Sequence, residues 1–216
     1  MTCAIPWGAI VLTSELIART TGEATTATAA QRLIRSGQRM RELLDKLLVY
    51  NRAQMGLGFE IQKEDVDLVT ACREEIELLR ASTPEARIQF HSPESVRGQF
   101  DAVSIRQALA NLVVNAHKYG QRGGEIRVVL RNDDGGVALD VTNEGDPIAP
   151  ETLELMFEPL RRGGVSSGDL EQASLGLGLF IVSQIAQAHQ GTIRAESSGG
   201  QDDLSAAPAA RLMRAT

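Results

Sequence analysis

Helical spacing in the first quarter of the chain sets the strongest limit on its fold. Between residues 33 and 51, six positions recur at alternating steps of four and three: Leu33, Gly37, Met40, Leu44, Leu47 and Asn51. This is the spacing of a seam along which helices pack in a bundle. With an earlier helix that carries Leu12 and Leu16, residues 1–55 are predicted to form a helical hairpin.

The apolar stripe is too wide for one hairpin to cover. Leu43 and Tyr50 extend it beyond the seam of two helices. Two hairpins related by a twofold axis would bury it as a four-helix bundle, so a homodimer through residues 1–55 is predicted. The alternative, a hairpin docked on its own C-terminal domain, remains open.

Beyond residue 56, short strands alternate with helices. Strands are predicted at 59–61, 87–90, 126–130, 137–141 and 192–196, with a hairpin turn at 132–136. Helices are predicted at 66–80, 151–156 and 177–189, and from an Asp101 cap to Tyr119. Because the order lacks βαβ regularity, residues 56–200 are expected to form an α/β sandwich with helices on one sheet face, which makes the fold class α+β. The Ala-rich residues 201–216 are expected to be a disordered tail, leaving an edge strand missing.

Composition excludes several classes of function. A net charge of −6 and a pI near 5.2 argue against a nucleic-acid partner, which needs a basic footprint. Cys3 and Cys72 are isolated and suit a reducing compartment. No apolar run approaches membrane-spanning length, and the N-terminus lacks the order of a signal peptide. The expectation is a soluble, cytoplasmic chain without a membrane segment.

The helix that ends at Tyr119 carries polar side chains suited to a metal-bound triphosphate. Asn111, Asn115 and Lys118 are three or four residues apart and share one face. An amide oxygen is a ligand that Mg²⁺ accepts, a lysine neutralises phosphate charge, and Tyr119 could cover a base or ribose. Taken alone, the segment fits an ordinary solvated helix face equally well.

Two glycine segments favour the nucleotide interpretation. Gly145 permits close approach of a ligand, and Pro147 stiffens the turn after it. Gly176 and Gly178 open a helix, whose N–H groups and positive dipole end would point toward a phosphate. Between these segments, residues 161–174 are rich in Gly, Ser and Arg and are interpreted as a mobile lid. Arg162 could contact phosphate from this lid, although a surface arginine is the commoner outcome.

Four short segments follow one another in an order that resembles the motifs of sensor histidine kinases, within the gyrase-like ATPase superfamily. They are 111–119, 143–148, 157–160 and 176–179, which resemble the N box, the first glycine box, the F box and the second glycine box, respectively. The resemblance implies ATP and Mg²⁺ as ligands, with Asn115 as the metal ligand, Lys118 on phosphate and Tyr119 in the nucleotide wall. Asn143 stands where the family usually has an Asp that accepts a hydrogen bond from the adenine amino group. Pro147 replaces the second glycine of its box, and Ser174 the first glycine at the end of the lid. The full ATP-binding set implied is Asn111, Asn115, Lys118, Tyr119, Asn143, Gly145, Pro147, Ile148, Arg162, Gly176, Leu177 and Gly178.

The same resemblance places Met1 where the phospho-acceptor His should be. The family motif, anchored on Pro6, also puts Thr2 at the position of an acidic residue. No histidine lies in the hairpin, and His91, His117 and His189 are interpreted as exposed residues. One back-translation of the first residues, begun one base earlier, reads His-Asp-Leu-Arg-Asn-Pro-Leu-Gly, the acceptor motif. A similar shift turns part of the tail into a sequence like the family's closing strand, so frameshifts at both ends are suspected.

Three functions remain open. The leading one is the catalytic core of a sensor histidine kinase, which phosphorylates a His and passes the phosphoryl group to an Asp on a response-regulator receiver domain. The alternative is a catalytically inactive, ATP-binding dimerisation module that regulates other kinases, and Met1 at the acceptor position favours it. A protein Ser kinase or a mechanochemical ATPase on the same fold is a weaker candidate.

Overall fold

In this computed structural model the described residues are 4–133, 136–160, 176–200, 203–207 and 209–210. The chain divides into two compact units, Met1–Val49 and Tyr50–Thr216. This division falls a few residues before the boundary predicted at residue 55.

Two helices make up most of the first unit. Helix α1 is Ala4–Thr20 and helix α2 is Ala24–Gln54, whose last residues belong to the second unit. The loop between them is residues 21–23: the hydroxyl of Thr21 accepts a hydrogen bond from the Glu23 N–H at 3.2 Å, and α2 starts at the next residue. A helical hairpin is confirmed.

The hairpin buries small residues and exposes large ones. Among the hairpin residues whose side chains are described, the buried positions are Ser14, Ala30 and Gly37. The large apolar side chains that remain exposed are Ile10, Leu12, Leu16, Ile17, Leu33, Met40, Leu44, Leu47 and Leu48. The seam predicted in α2 is therefore solvent-exposed in the single chain, apart from its glycine.

The second unit contains the sheet. Its elements are β1 Glu64–Asp67, α3 Leu68–Ser82, β2 Arg87–His91, β3 Arg97–Phe100, α4 Ala102–Tyr119, β4 Glu125–Asp133, β5 Gly136–Glu144, α5 Pro150–Leu155, α6 Gly178–Ala188, β6 Glu196–Gly200, β7 Asp203–Ala207 and β8 Ala209–Ala210. Six strands of the described residues form one sheet in the order β2-β4-β5-β7-β6, with β8 also paired to β5. Strand β2 runs parallel to β4, and the other pairs are antiparallel. Strands β1 and β3 form a separate antiparallel pair.

The core of this unit lies between the sheet and helices α3, α4 and α6. On β4, the buried residues Ile126, Val128 and Leu130 alternate along the strand and therefore share one face. Helices α3 and α4 contact the sheet, and α6 packs on α4. Fully buried aliphatic side chains supply the helical side: Leu68, Ile76, Ile105, Leu109, Leu112, Ile181 and Ile185. The predicted α+β class is confirmed.

Some strand predictions were wrong. The first strand forms at β1 and not at 59–61, where Gly58 precedes with φ 63° and the Gln62 N–H is taken by the Asp101 carboxylate at 2.8 Å. The last strand was predicted at 192–196, but β6 begins only at Glu196. Glu196 is the first residue of β6 that pairs with β7, opposite Ala207. Strands β7 and β8 also lie in the segment that was expected to be disordered.

His189 is buried, with 1% of its surface exposed, and the expectation of an exposed helix residue was wrong. Its Nδ1–H donates to the Ile185 carbonyl at 2.9 Å, while Nε2 accepts the backbone N–H of Asp101 at 3.2 Å. Burial is the main cause that lowers the pKa of His189, and the positive charge of Lys63 also lowers it. The hydrogen bond to Ile185 and the negative charge of Asp101 raise the pKa and offset part of this shift. The neutral ring therefore ties the end of α6 to the start of α4. His91 and His117 are exposed, as predicted.

Candidate functional site

Helices α4 and α6 are antiparallel, and two contacts fix how far one runs past the other. At one end His189 accepts the Asp101 N–H. At the other, a Cβ on Gly178 would lie 3.3 Å from Oδ1 of Asn111. Ten residues of α4 and eleven of α6 separate these contacts, and both spans correspond to about 15–17 Å of helix. Helix α4 then continues from Asn111 to Tyr119, about 12 Å beyond the start of α6.

This overhang of α4, residues 111–119, carries the predicted polar side chains. Asn111, Asn115 and Lys118 are half-buried, and Tyr119 is 47% exposed. The Asn111 amide donates to the Gln107 carbonyl at 3.0 Å, which fixes its orientation. The Lys118 ammonium lies 5.1 Å from the centroid of the Tyr119 ring, within range of a cation–π contact. The overhang therefore presents amide oxygens, a positive charge and an aromatic ring together.

The N-terminus of α6 faces this overhang and has no side-chain cap. Leu177 at the N-cap position is buried and provides no hydrogen bond from its side chain. Gly176 before it has φ 67°, a conformation that other residues adopt only with strain. The first N–H groups of a helix lack intrahelical acceptors and carry partial positive charge, so this end is suited to an anion.

The end of β5 closes the site from the sheet side. The backbone N–H of Gln121 donates to the Glu144 carbonyl at 2.6 Å, which joins the residue after α4 to the end of β5. Asn143, with 9% of its surface exposed, donates through Nδ2 to the same carbonyl at 3.2 Å. A Cβ on Gly145 would lie 3.5 Å from Asn143 Nδ2 and 3.6 Å from the Tyr119 carbonyl. The segments 111–119 and 143–145 therefore meet at one place.

The rest of the predicted set is more dispersed. Pro147 is exposed, and the Ile148 N–H donates to the Ser197 hydroxyl at 2.9 Å, which attaches this turn to β6. In the third segment Phe157 is half-buried, and Leu160 has φ 62°. Met1, Arg162, Ser174 and the lid at 161–174 lie outside the described residues. The structure brings together Asn111, Asn115, Lys118, Tyr119, Asn143, Gly145, Gly176, Leu177 and Gly178.

Gly120 has a role that the sequence did not reveal. Its N–H donates to the Ala116 carbonyl at 2.9 Å, at the end of α4. A Cβ at this position would lie 2.5 Å from that carbonyl, 2.9 Å from Asn143 Nδ2 and 3.1 Å from the Glu144 carbonyl. The glycine therefore allows the end of α4 to approach the Asn143 amide. The available signal was a glycine directly after the polar helix, but its neighbour in β5 is far away in sequence.

A resident metal centre made by protein groups alone does not fit this site. Within the described ranges, no group of three or more His, Cys, Asp or Glu side chains could hold an ion. Asn115 offers a neutral oxygen ligand, so Mg²⁺ would need phosphate oxygens and water to complete its coordination. No helix in the described part of the chain is long and apolar enough to cross a membrane.

Residues 100–204, which contain α4, the end of β5 and α6, match the family model described as "Histidine kinase-, DNA gyrase B-, and HSP90-like ATPase". The sensor-like histidine kinase SenX3 of Mycobacterium tuberculosis is 32% identical over 198 residues, which cover 90% of this chain and 48% of SenX3. The chain belongs to the sensor histidine kinase family. A bacteriophytochrome of Pseudomonas aeruginosa is 31% identical over 163 residues, 76% of this kinase-family chain and 22% of the relative.

Among solved structures, full-length ShkA in complex with AMPPNP superposes with a TM-score of 0.74 over 98% of this chain and 44% of that protein, at 24% identity. That likeness shows the shared fold. This kinase-family chain spans about half the length or less of these relatives. SenX3 is a sensor-like histidine kinase by name, so this similarity gives no support to the alternative that the chain is a catalytically inactive ATP-binding module.

Proposed function

We propose that this chain is the dimerisation and ATP-binding core of a sensor histidine kinase that acts in the cytoplasm. The observation that carries the proposal is the convergence of the α4 overhang, the uncapped start of α6 and the end of β5. Helix dipole, amide oxygens, lysine and aromatic ring are the groups that a nucleoside triphosphate needs, and they lie at one place. Family membership supports the same ligand.

Each group has a distinct role in this proposal. The N–H groups at the start of α6 and the Lys118 ammonium bind phosphate oxygens. Asn115, with Asn111 beside it, would hold Mg²⁺ through an amide oxygen, and the ion when bound supplies neutralising charge to the triphosphate. Tyr119 and Asn143 contact the nucleoside, and Gly145 leaves room for it. Gly176, Leu177, Pro147, Ile148 and Arg162 complete the proposed site.

The proposed reaction is transfer of the γ-phosphoryl group to a histidine. The bond between the β,γ-bridging oxygen and phosphorus breaks, a bond from imidazole nitrogen to phosphorus forms, ADP leaves, and the ring proton passes to solvent. Positioning and charge stabilisation supply most of the catalysis in such transfers. The phosphoryl group would pass next to an Asp on a response-regulator receiver domain. Met1 occupies the acceptor position in the printed sequence, so the histidine is the component that an assay must supply.

The exposed seam of α2 supports a homodimer. Leu33 is 53% exposed, Met40 46% and Leu44 47%, whereas the fully buried positions among the described side chains of the hairpin are small residues. Contiguous large apolar residues on one stripe mark an interaction site. A second copy presents the same stripe, and a twofold axis would pair the two.

Calorimetric titration with ATP tests the nucleotide site directly. The chain should bind ATP more tightly with Mg²⁺ than without it, and Asn115→Ala should remove most of that difference. Asn132→Ala, an exposed asparagine at the other end of the β4–β5 hairpin, is the matched control and should bind like the unmodified chain. Equal affinity with and without Mg²⁺ for both the unmodified chain and Asn115→Ala would exclude Asn115 as the metal ligand. Absence of ATP binding by the unmodified chain would refute the function itself.

A further inference from the structure

Asn143 differs from the other buried polar side chains of the described residues. Those are Ser14, Ser104, Ser183 and His189, and each bonds to a backbone carbonyl three or four residues earlier, at 2.7–3.0 Å. Asn143 lies at the end of a strand, and its side chain makes one hydrogen bond to the described residues, from Nδ2 to the Glu144 carbonyl at 3.2 Å. This bond uses one of the two amide hydrogens.

The side-chain oxygen of Asn143 is available to a ligand. Within the described part of the chain, every side-chain nitrogen or oxygen that is sealed from solvent has a partner. None of the described residues donates a hydrogen bond to Asn143 Oδ1, so this oxygen is reachable from solvent. The amide is held by the end of β5 and lies beside Gly120 and Gly145. It offers one acceptor at the proposed nucleoside position, and its Nδ2 carries a second hydrogen beside the one bonded to Glu144.

An amide and a carboxylate discriminate differently between purines. A carboxylate can only accept hydrogen bonds, so it pairs with the exocyclic amine of adenine and repels the 6-keto oxygen of hypoxanthine or guanine. An amide can accept from the amine through its oxygen or donate to the keto group through its N–H. Discrimination between such ligands usually comes from the cost of leaving a buried polar group without a hydrogen bond. An amide makes a hydrogen bond with either purine, so this cost does not arise for either of them.

From this geometry we infer that Asn143 makes the nucleotide site accept 6-oxopurine triphosphates as well as ATP. The inference rests on the proposed function, because it concerns the base that the same site binds. A second ligand class, ITP and GTP, is thereby assigned to the site.

Displacement of a fluorescent trinitrophenyl-ATP by ATP, ITP and GTP measures this directly. For the unmodified chain, the dissociation constants of ATP and ITP should agree within about ten-fold. Asn143→Asp should raise the ratio in favour of ATP by about ten-fold or more, because the carboxylate cannot donate to the keto oxygen. Asn132→Asp adds the same charge about 20 Å away along the hairpin and should leave the ratio unchanged.

A further variant keeps the test decisive if the buried carboxylate prevents folding. Asn143→Ala removes the amide without adding charge and should weaken ATP and ITP by the same factor. Preference of the unmodified chain for ATP by more than about a hundred-fold would overturn the inference, as would an Asn143→Ala variant that loses affinity for ATP alone. A ratio unaltered by Asn143→Asp in a folded protein would overturn it too. Failure to bind ATP at all would instead refute the proposed function.

Discussion

Replacing Gly145 with alanine should separate ligand binding from folding. The added Cβ would lie 3.5 Å from Asn143 Nδ2, 3.5 Å from Gly120 Cα and 3.6 Å from the Tyr119 carbonyl, which are ordinary contacts. Gly145 is not among the described glycines with positive φ. Alanine fits this backbone and restricts the unfolded chain, so the free energy of unfolding should stay constant or rise by up to about 1 kcal/mol.

Nucleotide affinity should fall in the same variant. The methyl group occupies space into which the nucleoside would pack, and overfilling a packed contact costs about 1–3 kcal/mol. That range corresponds to roughly a five- to 150-fold increase in the dissociation constant. Thermal melting without ligand and calorimetric titration with ATP measure the two effects on the same sample.

Gly120→Ala is the contrasting control. Its Cβ would lie 2.5 Å from the Ala116 carbonyl and 2.9 Å from Asn143 Nδ2, so backbone must move. This variant should lose about 1–3 kcal/mol of stability, and each kcal/mol lowers the melting temperature by roughly 2–4 °C in a domain of this size. Unchanged ATP affinity in a folded Gly145→Ala protein would show that no ligand approaches Gly145, and the proposed placement of the nucleoside would be wrong.

The remaining predictions concern the hairpin, the buried histidine and catalysis. Leu44→Asp should sediment as a monomer, because burying an unpaired charge in the seam costs several kcal/mol. Gln38→Asp should remain a dimer. A monomeric unmodified chain at high micromolar concentration would contradict the dimer. The folded-state pKa of His189 is lowered from 6.5, so its contribution to the free energy of unfolding should be complete above about pH 6.5 and decline as the pH falls below that value. In melting curves, His189→Gln should weaken this dependence of stability on pH, whereas His117→Gln should not. The printed chain should form no acid-labile phosphohistidine from labelled ATP, and a chain that starts with His-Asp-Leu-Arg-Asn-Pro-Leu-Gly should regain it; label on the unmodified chain would contradict this.

Elements whose determinants lie close together in sequence could be predicted. Asp101 was recognised as a helix cap because it precedes the apolar periodic segment, and its carboxylate does accept the N–H groups of Val103 and Ser104 at 3.0 Å. Strands β4 and β5 were found from their alternation and the turn between them, although both extend further than predicted.

Features that depend on distant partners could not be predicted. Strands β1 and β3 carry charged residues without an apolar alternation, and they form because each pairs with the other. His189 looked exposed because a polar residue at a helix end usually is, yet the N–H that it accepts belongs to Asp101, 88 positions earlier. For the candidate site, the residue types were visible in sequence, but the contact of Asn111 with Gly178 depends on how α4 and α6 pack.

The register between α4 and α6 is therefore the structural condition for the proposed site. A shift of one residue would move one helix by about 1.5 Å along the other and would change which side chains of the overhang lie beside the start of α6. Two contacts resist such a shift: the hydrogen bond between His189 and Asp101, and the tight approach of Gly178 to Asn111. The first requires a neutral imidazole, because a protonated ring cannot accept the Asp101 N–H. The imidazole of His189 lies about 15 Å from the proposed phosphates, yet its hydrogen bond to Asp101 helps to set the register of α4 and α6 at the site.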